Sequence, residues 1–383
     1  MIRGLQRLAP VLLALLVGCS SETDNAEPPA QLTDIDNNLP LVVNWKLDTR
    51  AADNRASYRL RPLLIGDRVY TIDTEGSVLC VDAAKGRRIW RFDTDLSAIT
   101  GLGGDARLII ATSRDGDIAA YHIVEKGLEL AWKASFDSEI RATPVLDREQ
   151  IFVRSVDGKL RSLSAADGSL QWVYVRSVPA LSLTGNSEPL VSGEQVFAGM
   201  DDGKLFALDR GSGEVNWEAT ISLPTGRTEV ERLVDLDGRF VIRDGVIYVS
   251  AFQGRLAAVQ AVSGDILWSR EFSSYQAIDL DGEALYLSAD SSDLWSIDRR
   301  TGSAFWKQDV LHARRITAPT VYGDYIVVAD LGGYLHWFRR DDGELAGRIR
   351  FSFNRSYVQP LVWQDSVLTL DKNGLLASIS LLQ

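Results

Sequence analysis

The sequence predicts an all-β fold, an eight-bladed β-propeller of four-stranded antiparallel blades whose ring is closed by an N-terminal strand. Three observations carry this expectation: a block that recurs eight times, glycines at fixed places inside it, and incomplete copies at the two ends that complement each other. A block recurring at near-fixed length marks an array of like supersecondary units. Here 28 residues separate Pro62 from Trp90, Pro144 from Trp172, Pro189 from Trp217, Phe240 from Trp268, Ile278 from Trp306 and Pro319 from Gly347. Fourteen residues into a block stands Gly76, Gly158, Gly203, Gly254 or Gly333. Twenty-four residues in stands Gly86, Gly168, Gly213, Gly264, Gly302 or Gly343. A looser copy carries Gly116 and ends at Trp132, and an eighth begins at Pro360 and carries Gly374.

Each block reads as four short strands. In Pro189 to Trp217 the strand P-L-V-S meets a turn at Gly193-Glu194, and Q-V-F-A-G follows. Asp202-Gly203 marks the next hairpin, K-L-F-A-L the third strand, and Ser212-Gly213 the turn before E-V-N-W. Such dipeptides supply the positive φ of tight hairpins, and short, evenly spaced strands with periodic glycines and aromatics mark propeller blades. The eighth copy stops at Gln383, before an outermost strand, while Leu41 to Trp45 reads L-V-V-N-W, an outer strand with no inner strands before it. Joining the two closes the ring without leaving a partial sheet, which would be an aggregation hazard. The Trp recurring at 45, 90, 132, 172, 217, 268 and 306 reads as packing between blades rather than as a ligand stack, since a buried Trp brings a large apolar area and one N–H to satisfy. No sequence feature accounts for Gly347 in the seventh Trp slot.

The N-terminus supplies an address. Arg3 and Arg7 precede an apolar run from Leu8 to Val17, the pattern of a secretory signal and too short to span a bilayer. Its end, L-V-G-C, resembles the lipobox of bacterial lipoproteins, which implies cleavage before Cys19 and lipid attachment to it. Residues 1–18 are thus expected as a lipoprotein signal peptide, 19–40 as a flexible polar tether and 41–383 as the propeller. Ser20, where an aspartate would favour inner-membrane retention, points to the outer membrane on its periplasmic face. The remaining cysteine, Cys80 in V-L-C-V, reads as a small buried hydrophobe. A net charge of −11 excludes a nucleic-acid partner, because phosphate binding needs clustered Lys and Arg.

Function is expected where the repeat is broken, since loops carry recognition on a repeated scaffold. Trp172 to Pro189 spans 17 residues and Trp217 to Phe240 spans 23, against 11 to 13 for the shorter gaps. The two long connections are equivalent and consecutive, so they should leave neighbouring blades on one face. The first carries Leu181 and Leu183 among small and polar residues; the second is rich in charge. Apolar residues beside charged ones suggest a protein contact.

The chain resembles the BamB family, propeller lipoproteins of the outer-membrane β-barrel assembly machinery. The likeness covers the lipobox, the eight copies and both long connections, V-P-A-L-S-L-T-G and T-G-R-T-E-V-E-R-L-V-D-L-D being its most specific strings. It implies a non-catalytic scaffold that binds the periplasmic POTRA domains of BamA and aids outer-membrane protein folding and insertion. Other lipoproteins of the machinery are further candidate partners. It also implies partner-binding roles for Leu181, Leu183, Asp235 and Asp237. Thr184 stands where the family has Arg, so an ion pair expected there is missing; Arg176 and Arg227 are candidates to replace it.

The repeat, with endings such as Asp209 to Trp217, also resembles pyrroloquinoline-quinone dehydrogenases, whose rings are eight-bladed too. This chain has no adjacent cysteine pair and none of the extra loops that build that cofactor pocket. His122, His312 and His336 lack metal-ligand spacing, Asp235-Leu-Asp237-Gly238 lacks the remaining ligands of a calcium loop, and no hydrolase or nucleotide motif occurs. No cofactor, metal or catalytic residue is expected. A ligand-binding propeller using its central channel is the remaining alternative.

Overall fold

The computed structural model describes residues 27–36, 39–50, 60–178, 187–225, 227–228, 231 and 233–382. Eight four-stranded antiparallel sheets form the blades, with no helix among the described residues. Each blade runs a to d in chain order; blade 3, for instance, is Val145–Asp147, Gln150–Arg154, Lys159–Ser164 and Leu170–Val175. Strands b and c are largely buried and supply most of the apolar core, whereas a and d are the two edges of each sheet. Blade 8 is the exception in connectivity. Its strands a to c are Leu361–Trp363, Ser366–Leu370 and Leu375–Leu381, and its strand d is Leu41–Asp48. Leu41 lies opposite Leu381 and Asp48 opposite Leu375, so the ring closes as the end fragments predict.

The recurring Trp is the joint between blades. In all eight blades the c–d ladder skips one residue immediately before the Trp slot, as at Gln171 before Trp172. A bulge of this kind twists the strand and re-aims the side chain that follows. Six of these Trp rings then lie over the c–d turn glycine of the next blade: Trp45 on Gly86, Trp132 on Gly168, Trp172 on Gly213, Trp217 on Gly264, Trp268 on Gly302 and Trp306 on Gly343. A Cβ on any of those glycines would stand 2.3 to 2.7 Å from the ring. Each of the six indoles also donates from Nε1 to the carbonyl three residues before that glycine, at 2.8 to 3.0 Å. The ring's large apolar area is thereby buried and its one donor satisfied. Trp90 faces the deviant blade 2, whose strand c runs on to Val124 and turns through Glu125-Lys126, and its Nε1 finds no such acceptor.

Gly347 now has a physical reason. Blade 8 has no c–d turn, because its strand d comes from the other end of the chain. Leu39 lies against Gly347, with its Cβ 2.8 Å from where a Cβ on Gly347 would stand. Its N–H donates 3.1 Å to the carbonyl of the bulged Ala346. An apolar side chain from the N-terminal segment thus occupies the site where a Trp would have had no turn to pack on.

That segment is docked well before Leu39. The tether expected over 19–40 ends earlier than the sequence suggests, because residues 27–36 run along blades 6 and 7. Glu27 accepts a bond from His312 at 3.1 Å, and the N–H of Ala30 donates to the His312 carbonyl at 2.9 Å. The Ala30 carbonyl takes Arg314 at 2.9 Å, the Thr33 carbonyl takes Arg348 at 2.7 Å, and Leu32 packs into the cluster containing Trp306, Leu311 and Phe338. Beneath it, buried Asp330 accepts from Arg314 at 2.6 Å and from His336 at 3.1 Å, and also takes the N–H groups of Gly332 and Tyr334.

Two measurements follow from this packing. Gly168→Ala should destabilise the ring more than Gly193→Ala in urea titrations. Both residues have positive φ, 71° and 61°, but only Gly168 faces a ring. The expected excess is about 1–3 kcal/mol of overpacking; equal costs would mean that the Trp contact contributes nothing. The second concerns His336, which is fully buried; desolvation depresses its pKa, partly offset by Asp330, with Arg348 and Arg314 adding repulsion. A depressed histidine binds its proton on unfolding, so its contribution is intact above pH 6.5 and lost below, by up to about 1.4 kcal/mol per pH unit. Thermal melts from pH 7 to 5 should show this fall in the wild type and a shallower one in His336→Gln. Asp330, held at about 2 because His336, the Tyr334 N–H and Arg314 outweigh its burial, withdraws its contribution only below about pH 4.

Candidate functional site: two long connections on one face

Antiparallel alternation places the a–b and c–d turns on one face of the ring, and the b–c turns and d–a connections on the other. The b–c glycines confirm the second pairing: a Cβ on Gly203 would meet the Ser222 carbonyl, and one on Gly158 the Arg176 carbonyl. Both long connections are d–a connections, one from blade 3 to blade 4 and the next from blade 4 to blade 5. They therefore leave adjacent blades on a common face.

The tip of the first connection, with Leu181, Leu183 and Thr184, lies outside the described residues. Its two feet are described, one tied directly to the b–c turn of blade 4 and the other through Arg154. At the leading foot Arg176 pairs with Asp202 at 2.6 Å and with Glu218 at 3.8 Å, and its guanidinium stacks 4.6 Å above Phe206. Burial works to lower the Arg176 pKa, but the Asp202 bond and charge raise it on balance. At the trailing foot buried Ser187 accepts from Arg154, which also pairs with Asp201. Asp201 and Asp202 are neighbours in the b–c turn of blade 4, between Gly199 and Lys204. Glu188, the next residue, reaches Arg61 of blade 1 at 3.1 Å.

The second connection divides into an exposed arm and a buried root. In the arm Leu223 is 68% exposed, and Thr228 and Glu231 bond reciprocally, each accepting from the other's backbone N–H. This is the geometry of a capping box. The root, Leu233 to Asp237, is buried throughout. Leu236 packs where Gly199 leaves space, a Cβ there standing 2.8 Å from that of Leu236. The Asp235 carbonyl accepts from Phe252 N–H at 3.0 Å. Asp235 is 0% and Asp237 5% exposed, so these two carboxylates, expected at the surface, are wedged between blades 4 and 5. Asp237 faces the mouth of the central channel with Arg61, Arg141, Arg239 and Gln276. Across that mouth run the Arg61–Glu188 pair and a 2.9 Å bond from Arg239 to Gln359, linking blades 1 to 4 and 5 to 8. Sequence spacing missed these cross-ring links and the Arg176 clamp, because each joins residues far apart in the chain.

Comparison with known proteins decides the family. The model of a family described as "Outer membrane protein assembly factor BamB" matches residues 43–126 and 74–308. A protein of that name from Alkalilimnicola ehrlichii is 37% identical, over 100% of this chain and 97% of its own. The chain belongs to the BamB family. Among solved structures, BamB from Moraxella catarrhalis superposes with a TM-score of 0.80 at 22% identity, over 89% of this chain and 99% of that one. A quinohemoprotein alcohol dehydrogenase from Comamonas testosteroni gives 0.71 at 10% identity, over 90% and 77%, a likeness of fold alone. BamB is named an assembly factor, not an enzyme. Among the described residues no group of His, Cys, Asp and Glu is arranged to hold a metal ion, and Cys80 is buried in strand c of blade 1, where burial raises its pKa.

Proposed function

We propose that the chain is a non-catalytic scaffold of the outer-membrane β-barrel assembly machinery, anchored by lipid on Cys19 at the periplasmic face, whose long connections bind the POTRA domains of BamA. The observation that carries this reading is the pair of d–a connections leaving blades 3 and 4 side by side, the first with its leading foot paired to Asp202 and its trailing foot held through Arg154, which pairs with Asp201. A clamped loop loses less freedom on binding than a loose one, and so binds more tightly for the same contacts. Leu181 and Leu183 are the apolar anchors in this reading, with the charged second connection as the rim that steers and orients the partner. Arg176 is committed to Asp202 and Glu218, so exposed Arg227 is the better substitute for the cation absent at Thr184. Burial gives Asp235 and Asp237 a supporting part: they hold the root that positions the second connection.

Photocrosslinking in intact envelopes tests the assignment. A photoreactive residue at Leu183 should capture the POTRA-bearing barrel, and one at Val262, on the opposite face, should not; capture from Val262 alone would sink the reading. Leu183→Asp should lower capture about tenfold, the loss of one apolar anchor of about 1.4 kcal/mol or more, with the melting temperature unchanged. Asp235→Lys should behave differently. It places an ammonium in a fully buried site at a cost of about 3 kcal/mol or more, so it should lower the melting temperature and capture together, whereas Asp235→Asn, of like shape, should lower both less.

A further inference from the structure

We propose that the connection face of blades 6 to 8 is a membrane-contacting rim, where Phe353 and the cations Arg315, Arg350 and Lys372 meet anionic phospholipid headgroups. The inference rests on the lipid-anchor reading of Cys19 but goes beyond it, since an anchor alone leaves the ring free to hang in any orientation. The first argument is reach. Glu27 and Ala30 are fastened to His312 and Arg314, in the d–a connection between blades 6 and 7. Cys19 precedes Glu27 by eight residues, a span of at most about 29 Å at full extension. The lipid therefore holds this edge of the ring, and no other, close to the bilayer.

The second argument is chemistry. Residues 348–355 read R-I-R-F-S-F-N-R, three arginines and two phenylalanines with no acid, in a chain of net charge −11. Phe353 is 81% exposed, the most exposed large apolar side chain among the described residues, and the Arg350 guanidinium lies 4.0 Å over its ring. Several surface arginines elsewhere find carboxylates: Arg107 takes Glu149 at 3.0 Å, Arg148 takes Glu194 at 2.9 Å and Arg299 takes Asp244 at 2.7 Å. Among the described residues Arg315, Arg350 and Lys372 form no ion pair. The patch is continuous. The b–c turn of blade 8 reaches the connection through Lys372 N–H, which donates 2.8 Å to the Arg355 carbonyl, and Arg355 stacks 4.5 Å over Tyr357. Exposed aromatics flanked by arginine suit a headgroup layer, the ring entering it while the guanidinium stays with phosphate. One acyl anchor plus a basic patch is a stable pairing where a single weak signal is not.

The test uses the full lipidated protein reconstituted in vesicles of phosphatidylethanolamine and phosphatidylglycerol containing nitroxide-labelled lipid. A fluorophore is placed at Phe353→Cys or, as a same-face control beside blades 4 and 5, at Leu223→Cys; Cys80 is buried and Cys19 acylated. Quenching should be several-fold stronger at 353 than at 223, and should fall about fivefold in Arg315→Glu/Arg350→Glu, as expected for charges acting at an anionic surface. Equal quenching at both sites overturns the rim, as does quenching at 353 that is unchanged by phosphatidylglycerol or by the charge reversals. Shielding of 353 that appears only when an acidic partner protein is added overturns it in favour of a protein contact. Acylation is read separately as the mass gain on the chain. An unacylated chain overturns the anchor and the rim together, whereas an acylated chain with an unquenched 353 overturns the rim alone.

Discussion

The architecture depends on one contact, an indole laid across a glycine turn of the neighbouring blade with its N–H given to that turn. A four-stranded blade buries strands b and c only if something covers both faces, and the covering must come from the next blade around. The Trp–Gly joint fixes the distance and angle at which that happens. It needs three sequence features in two blades at once: a bulge to aim the ring, a glycine to receive it, and a carbonyl three residues earlier to accept the N–H. Where one is missing, the consequence is local. Trp90 meets a longer hairpin and stays without an acceptor, and at blade 7 the Trp itself is replaced.

A ring assembled this way is stiff, and stiffness serves the face that carries the long connections. The turn at Asp201-Asp202 is held by the strands of blade 4 and in turn holds Arg176 at one foot of the preceding connection and Arg154, which bonds Ser187, at the other. The root of the next connection is buried between blades 4 and 5. The cross-ring links from Arg61 and Arg239 brace the centre in the same sense, with polar groups spanning the channel mouth.

The regular part of the fold was legible in the sequence because it is written locally and repeatedly. Turn glycines and outer Trp residues recur at fixed spacing, and each blade needs only neighbours in the chain. Even the closure by Leu41–Asp48 could be read, since the two partial copies lack complementary pieces. What stayed hidden depends on single, unrepeated residues. Leu32 and Leu39 look like stray apolar residues in a polar segment, and nothing local tells that one enters the cluster around Trp306 and the other fills the gap at Gly347. Asp235 and Asp237 sit in a charged string that suggests exposure, yet alternate with Leu236 in a stretch buried along its whole length. Charge alone does not report on which side of a wall a carboxylate lies.

The closing strand also imposes an order of events. Leu41 and Leu381 are paired although 340 positions apart, so the first strand of the chain must wait for the last before the ring can close. Long-range pairing of this kind slows folding, since loop-closure entropy is lost before any contact compensates. During that interval the N-terminal strand, Leu39 just before it and the edge of blade 8 are all unpaired. The joint that completes the circle is therefore the last to form, and the two ends of the chain must find each other before any of these edges is covered.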